Sequence, residues 1–87
     1  MNNMKKVVVD VRTPQEFAGG HIPESINIPM QEVMQRLDEF KGMNQPILLC
    51  CASGNRSGQV AAYLNSIGIQ CENGGCWMEI NATHSTY

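Results

Sequence analysis

A cysteine and an arginine, separated by small and polar residues, form the part of this sequence best suited to chemistry. The segment reads Cys51-Ala52-Ser53-Gly54-Asn55-Arg56-Ser57. Because an apolar run precedes it and a helix-like pattern follows it, its backbone N–H groups can turn inward and bind an anion at a helix N-terminus. Such surroundings, with the cation of Arg56 nearby, lower a cysteine pKa. The segment therefore predicts that Cys51 is a reactive nucleophile, with Gly54 supplying the positive φ of a tight loop.

The sequence contains three further cysteines, Cys50, Cys71 and Cys76. Cys50 adjoins Cys51, which does not suit the disulfide framework of a secreted domain. No two of the four cysteines have the Cys-x-x-Cys spacing of a structural zinc site, so we expect no bound metal. Cys71 and Cys76 are expected to be buried apolar residues, with a role as a secondary thiol as the alternative.

A strand and a helix must hold this loop, and the sequence predicts both. The continuous apolar run at 46–50 is typical of a strand buried on both faces, which makes Cys51 the first loop residue. After the loop, apolar residues mark one face of a helix that ends at Gly68. These residues are Val60, Ala61, Tyr63, Leu64 and Ile67.

Similar patterns predict the remaining elements. Strands are expected at 6–11, 25–28 and 69–72, the last followed by a turn at 73–75. A capping box predicts a helix from Pro14, and apolar spacings of three and four predict one from Met30 to Lys41. No periodicity is visible from Met78 onward. Alternating strands and helices predict an α/β domain with a parallel sheet, whose ligands bind at the carboxyl ends of the strands, where Cys51 lies.

Composition and charge exclude several classes of partner. The 87 residues suit one domain, and 43% hydrophobic against 16% charged residues favours a packed core over disorder. Six basic and eight acidic residues give a net charge of -2, so nucleic acid is not an expected partner. The apolar runs are far shorter than the roughly 20 residues that span a bilayer, and no secretory signal is recognised. We therefore expect a cytoplasmic protein that binds neither nucleic acid nor membrane.

Four motifs, in order along the chain, resemble signatures of the rhodanese family. They are the segment 10–17 (Asp-Val-Arg-Thr-Pro-Gln-Glu-Phe), the segment 20–29 (Gly-His-Ile-Pro-Glu-Ser-Ile-Asn-Ile-Pro), the Cys51 loop, and Gly74-Gly75 with Trp77. Four ordered matches are much more specific than the loop alone. The resemblance covers residues 5–77 and leaves 78–87 as a short polar tail. It implies one rhodanese domain over 1–87, with a parallel sheet of four to five strands flanked by helices on both faces.

The resemblance also implies a function, that of a thiosulfate sulfurtransferase. The residue that matches the family's catalytic cysteine is Cys51, which would take sulfane sulfur from a small anionic donor such as thiosulfate and hold it as a persulfide. The outer sulfur would then pass to cyanide, to a thiol or to an unidentified protein acceptor. The loop residues Ala52, Ser53, Gly54, Asn55, Arg56 and Ser57 would bind the substrate. No cofactor is implied, and we expect Asp10, Arg12 and His21 to be structural.

Two alternative functions remain open, and the sequence differs from the usual rhodanese pattern at both ends. Cys50 and Arg56 enclose five residues, the spacing of tyrosine phosphatases and of related cell-cycle phosphatases, so a phosphatase that uses Cys50 is one alternative. A persulfide carrier or binding module that serves a protein partner is the other. Rhodanese domains usually have a further strand and helix before Asp10 and a helix after Trp77. Their absence from the pattern predicts a smaller sheet or an exposed edge, for which a homodimer would compensate.

Overall fold

The computed structural model describes residues 6–83, which form one parallel four-stranded sheet with helices on both faces. The strands are β1 (Val8–Asp10), β2 (Ile26–Asn27), β3 (Ile47–Cys51) and β4 (Cys71–Cys76). Their order in the sheet is β2-β1-β3-β4, and every neighbouring pair is parallel. The central strands are therefore β1 and β3, as their continuous apolar runs predict. This confirms the predicted α/β class, with the smaller of the two strand numbers.

Side chains of β3 point alternately into two apolar clusters. Ile47, Leu49 and Cys51 lie in the larger cluster, and Cys50 lies in the smaller one, with Leu48 packed against it. Burial on both faces leaves a polar residue no place along this strand, which explains the unbroken apolar run in the sequence.

The helices vary in length and regularity. The chain forms α1 (Pro14–Ala18), two 3₁₀ turns (Met30–Glu32 and Met34–Arg36), α2 (Leu37–Lys41), α3 (Asn55–Ser66) and α4 (Trp77–Thr83). The predicted capping box of α1 is confirmed: Thr13 Oγ1 accepts the Glu16 N–H at 3.2 Å, and Glu16 Oε1 accepts the Thr13 N–H at 2.9 Å. Within the described part of the chain, no helix is long and apolar enough to cross a membrane.

The single helix predicted from Met30 to Lys41 is wrong. Two 3₁₀ turns precede the short α2, and Met34, one of the apolar residues in that spacing, is 69% exposed. A 3₁₀ turn has about three residues per turn, so Val33 can pack inward without bringing its neighbour Met34 to the same face. Apolar spacings of three and four do not distinguish this arrangement from a regular helix.

The expected turn at 73–75 is also wrong, because these residues lie inside β4 as a bulge. Leu49 pairs with Asn73 and Cys50 pairs with Gly75, so Gly74 is the extra residue. Gly75 has a φ of 88°, which favours glycine. A side chain at Gly74 would meet Leu48 and Ile80, so a second glycine allows close packing there. The glycine pair, which from sequence alone predicts a turn, forms a bulge within a strand.

The polar tail predicted over 78–87 is likewise wrong for residues 78–83, since residues 77–83 form α4, and residues 84–87 lie outside the described part of the chain. Ile80 of this helix is 7% exposed and belongs to the smaller apolar cluster. A helix of seven residues is too short to show a periodic pattern and depends on tertiary packing for its stability. The described residues thus include the helix that we did not expect after Trp77. The prediction of a homodimer stays a prediction.

The bulge yields the first testable prediction. In Gly74→Ala the new Cβ would lie 2.7 Å from Ile80 Cδ1 and 2.9 Å from Leu48 Cδ1, so both side chains must shift. We expect urea denaturation to show a loss of about 1–3 kcal/mol in the free energy of unfolding. Gly42→Ala is the matched control, because Gly42 has right-handed helical φ and its added Cβ would have no neighbour closer than 3.7 Å. Equal stability of the two variants would contradict the packing role of Gly74.

Candidate active site

The sulfur of Cys51 lies at the junction of β3 and α3. The sequence predicted Cys51 as the first residue of the loop. In the structure it is the last residue of β3, and the loop begins at Ala52. Helix α3 begins at Asn55, after Gly54 in the left-handed conformation with a φ of 96°. A Cβ on Gly54 would approach the Cα of Gly75 to 3.2 Å, so the loop also needs glycine for its contact with β4. The positive φ expected at Gly54 is confirmed.

Hydrogen-bond donors of the loop and of α3 converge on this sulfur. The N–H of Gly54 donates to Cys51 Sγ at 2.9 Å, the N–H of Ser57 at 3.5 Å, and the hydroxyl of Ser57 at 3.4 Å. Cys51 has no exposed surface, so these groups take the place of water around the sulfur. The arrangement is a nest of donors suited to a sulfur anion.

The surroundings give the three buried cysteines different pKa values. Burial alone would raise the pKa of Cys51, but the hydrogen bonds from Ser57 and from the Ser53 and Gly54 amides outweigh it and lower the pKa to about 7. By contrast, burial, reinforced by the charge of Asp10, raises the pKa of Cys50 to about 12. Burial raises the pKa of Cys71 to about 11. At neutral pH Cys51 is therefore substantially ionised, whereas Cys50 and Cys71 are neutral thiols.

Asn73 of β4 ties the loop to the sheet, a role that the sequence did not reveal. Its Nδ2 donates to the Gly54 carbonyl at 3.0 Å, and its Oδ1 accepts the Gly75 N–H at 3.1 Å and the Ser57 hydroxyl at 2.7 Å. Ser57 has one hydroxyl proton, so Asn73 and Cys51 compete for it. A thiolate is a charged acceptor, so ionisation of Cys51 favours rotation of this hydroxyl toward the sulfur.

Arg56 is already paired with an acid. Its Nη1 and Nη2 donate to Glu16 Oε1 and Oε2 at 2.8 and 3.0 Å, a bidentate ion pair between α3 and α1. The Arg56 hydrogen bonds hold the pKa of Glu16 at about 2, so both groups are charged at neutral pH. Both side chains are about one third exposed, so solvent weakens the pair. Arg56 lies beside the loop as predicted, whereas its pairing with Glu16, forty residues away in the chain, has no sequence pattern that indicates it.

The sequence profile of the Rhodanese-like domain family matches residues 1–80, almost the whole chain. This chain belongs to the rhodanese-like domain family. The fold, the parallel sheet and the order of the four motifs agree with that membership, and the predicted resemblance is confirmed.

Individual relatives support the same conclusion. The chain is 39% identical to a "Sulfurtransferase" of Allochromatium vinosum over 71% of its own length and 57% of the relative's. It is 38% identical to "Thiosulfate sulfurtransferase GlpE" of Pseudomonas syringae over 67% of its length and 54% of the relative's. A solved structure, "rhodanese with anions from E. coli", superposes with a TM-score of 0.75 and 30% identity over 85% of this chain and 89% of that one. The chain thus spans little more than half the length of these curated relatives.

Other residues of the rhodanese-like motifs contact the scaffold around β1, and their expected structural role stays a prediction. Asp10 and Arg12 form a buried ion pair at 2.7 Å, and Arg12 also donates to the Gly20 carbonyl at 2.7 Å. The Arg12 guanidinium lies 4.7 Å from the centroid of the Trp77 ring. His21 stacks on the ring of Phe17, and its Nδ1 lies 2.7 Å from the Phe17 carbonyl oxygen. These contacts fasten the connections around β1 and do not reach Cys51.

The remaining loop residues form the rim of the site. Ala52, Ser53 and Asn55 are exposed, and Ser53 Oγ accepts the Asn55 N–H at 3.4 Å. Because Cys51 itself is fully buried, a reactant must pass this rim to reach the sulfur. The structure thus brings every residue of the predicted substrate-binding segment to the Cys51 end of β3, with donors toward the sulfur and exposed side chains outside.

The donor nest predicts how the reactivity of Cys51 depends on pH. The iodoacetamide alkylation rate, followed by mass spectrometry, should reach half its maximum near pH 7. Ser57→Ala removes a donor to the thiolate and so raises the pKa toward the ordinary value of about 8.5. Each unit of that rise lowers the rate at pH 6 about tenfold, whereas the rates converge above both pKa values.

Ser53→Ala is the matched control, because it changes a serine of the same loop whose hydroxyl contacts the Asn55 N–H and not the sulfur. Its alkylation profile should follow that of the unaltered protein. A Ser57→Ala profile with an unchanged midpoint would show that the amides alone ionise Cys51.

Proposed function

We propose that this protein is a sulfurtransferase that carries sulfane sulfur as a persulfide on Cys51. The observation that carries the proposal is the sulfur of Cys51 held by the Gly54 amide and by the amide and hydroxyl of Ser57, with a pKa of about 7. Family membership and relatives named as sulfurtransferases support it. The finer assignment, a thiosulfate sulfurtransferase, is part of the same proposal.

The proposed reaction consists of two displacements. The Cys51 thiolate attacks the sulfane sulfur of thiosulfate, the sulfur–sulfur bond of the donor breaks, and sulfite leaves with the bonding pair. The acceptor, a thiol or cyanide, then attacks the outer sulfur of the persulfide and releases the Cys51 thiolate. The preorganised amides of the loop stabilise the anionic sulfur before and after loading. The protein needs no further group for these steps.

Cys50 is a poor nucleophile for the alternative phosphatase reaction. It is completely buried in the smaller apolar cluster, on the opposite face of β3 from Cys51. With its pKa raised to about 12 by burial, it is a neutral thiol at physiological pH. The donor nest surrounds Cys51, so the spacing from Cys50 to Arg56 does not describe this loop. We therefore favour sulfur transfer over phosphate hydrolysis.

The proposal predicts a specific covalent change. Incubation of the protein with thiosulfate should add one sulfur atom, about 32 Da, to Cys51 because this thiol is ionised at neutral pH. Intact mass and peptide mapping under acid quench give the measurement. Cys51→Ser should take up no sulfur, whereas Cys71→Ala, which changes a buried neutral thiol, should load like the unaltered protein. Sulfur bound to Cys50, Cys71 or Cys76 in place of Cys51 would refute the assignment.

The Arg56–Glu16 pair governs how strongly an anionic donor binds in this proposal. Arg56 can bind the oxygens of thiosulfate only in competition with the Glu16 carboxylate. Glu16→Gln removes that charge and keeps an amide oxygen for the capping box. We therefore expect a KM for thiosulfate lowered by up to about fivefold, the equivalent of about 1 kcal/mol for an exposed pair. Arg56→Ala should raise the KM.

Glu39→Gln is the control for this experiment. Glu39 also pairs with an arginine, Arg36, at 2.7 Å, but on α2 and outside the loop. Its KM should equal that of the unaltered protein. If Arg56→Ala left the KM for thiosulfate unchanged, Arg56 would have no part in donor binding.

A further inference from the structure

The last residues of β3 and β4 are both cysteines, and they lie side by side on these adjacent strands. Cys51 and Cys76 are partners in the parallel ladder. Partners on adjacent strands have Cα atoms about 5 Å apart, within the range of about 4.4–6.8 Å that disulfides usually span. The two Cα atoms are therefore close enough for a disulfide.

The bulge in β4 creates this pairing. Asn73 pairs with Leu49, so in a regular ladder Gly75 would be the partner of Cys51 and Cys76 would lie one residue beyond. The extra residue at Gly74 moves Cys76 back into register with Cys51. Both thiols also contribute to the raised pKa of Cys50, which places them near the same end of β3.

Cys50 and Cys71 do not have this position. Cys71 pairs with Ile47, four residues before Cys51 on β3, which at about 3.3 Å per residue corresponds to roughly 13 Å. Cys50 is adjacent to Cys51 in sequence, but its side chain packs on the opposite face of the sheet. Cys50 and Cys71 are buried, whereas Cys76 is partly exposed and in register with Cys51.

We propose that Cys76 is a resolving thiol that reduces the sulfur carried by Cys51 to sulfide, an inference that rests on the proposed sulfurtransferase function. The Cys76 thiolate attacks Sγ of Cys51, and a Cys51–Cys76 disulfide forms. The bond from Sγ to the outer sulfur breaks, and that sulfur leaves with the bonding pair as hydrosulfide, taking the proton of the Cys76 thiol. The two cysteines are oxidised and the sulfane sulfur is reduced.

This reaction gives the protein a second outcome for the loaded state. With an acceptor present, the outer sulfur is transferred and Cys51 returns to a thiolate. Without one, Cys76 releases the sulfur as hydrosulfide, and a dithiol reductant then regenerates both thiols by disulfide exchange. The lifetime of the persulfide is thereby set by the competition between acceptor and Cys76.

The test follows the loaded protein after removal of thiosulfate, without acceptor or reductant. We expect each persulfide to release about one hydrosulfide while the intact mass falls by about 34 Da, with a peptide that joins Cys51 to Cys76. In Cys76→Ser and Cys76→Ala, decay measured per loaded molecule should be at least about tenfold slower, with no such peptide. Cys71→Ala should decay like the unaltered protein. Rates at two protein concentrations should agree, as an intramolecular reaction requires.

The outcomes distinguish this inference from the function on which it rests. If Cys51 takes up no sulfur, the proposed sulfurtransferase function fails, and this inference fails with it. If Cys51 loads but decays equally in the unaltered protein and in both Cys76 variants, only the resolving role of Cys76 is overturned. A rate proportional to protein concentration, or a disulfide from Cys51 to another cysteine, would overturn it equally.

Discussion

The burial of an ionisable sulfur at the end of β3 is the constraint on which the site depends. Removing Cys51 from water opposes its ionisation, and the hydrogen-bond donors at the sulfur reverse that effect. The donors come from the Gly54 amide and from Ser57 at the start of α3. Their convergence requires the left-handed conformation of Gly54. The ionisation of Cys51 therefore depends on the backbone conformation of the loop.

Strand β4 extends this constraint into the rest of the fold. Its Asn73 binds the loop through Gly54 and Ser57, a side chain at Gly54 would crowd Gly75, and the positive φ of Gly75 favours glycine in the bulge. The same bulge aligns Cys76 with Cys51. An edge strand, commonly the least constrained part of a sheet, here positions the donors and the second thiol.

Charge near the site is arranged in pairs. Asp10 and Arg12 pair at the carboxyl end of the central strand β1, where burial is nearly complete, and Arg12 also contacts Trp77. Arg56 and Glu16 pair at the surface, where solvent reduces the energy of separating them. The buried pair is suited to hold structure, because breaking it would leave an uncompensated charge. The exposed pair can exchange partners at small cost, which suits a residue beside a binding site.

The sequence by itself determined the parallel α/β class, the strand before Cys51, the capping box of α1 and the nucleophilic loop, because each depends on residues close together in the chain. Only the tertiary structure decided the positions of Asn73, Glu16 and Cys76 beside the loop, because these residues belong to other elements. It also decided that Gly74 and Gly75 form a bulge and that residues 77–83 form α4. Gly74 allows Leu48 and Ile80 to pack closely, and Ile80 buries one side of α4 in the smaller apolar cluster. Such contacts between distant segments leave no periodic pattern in the sequence.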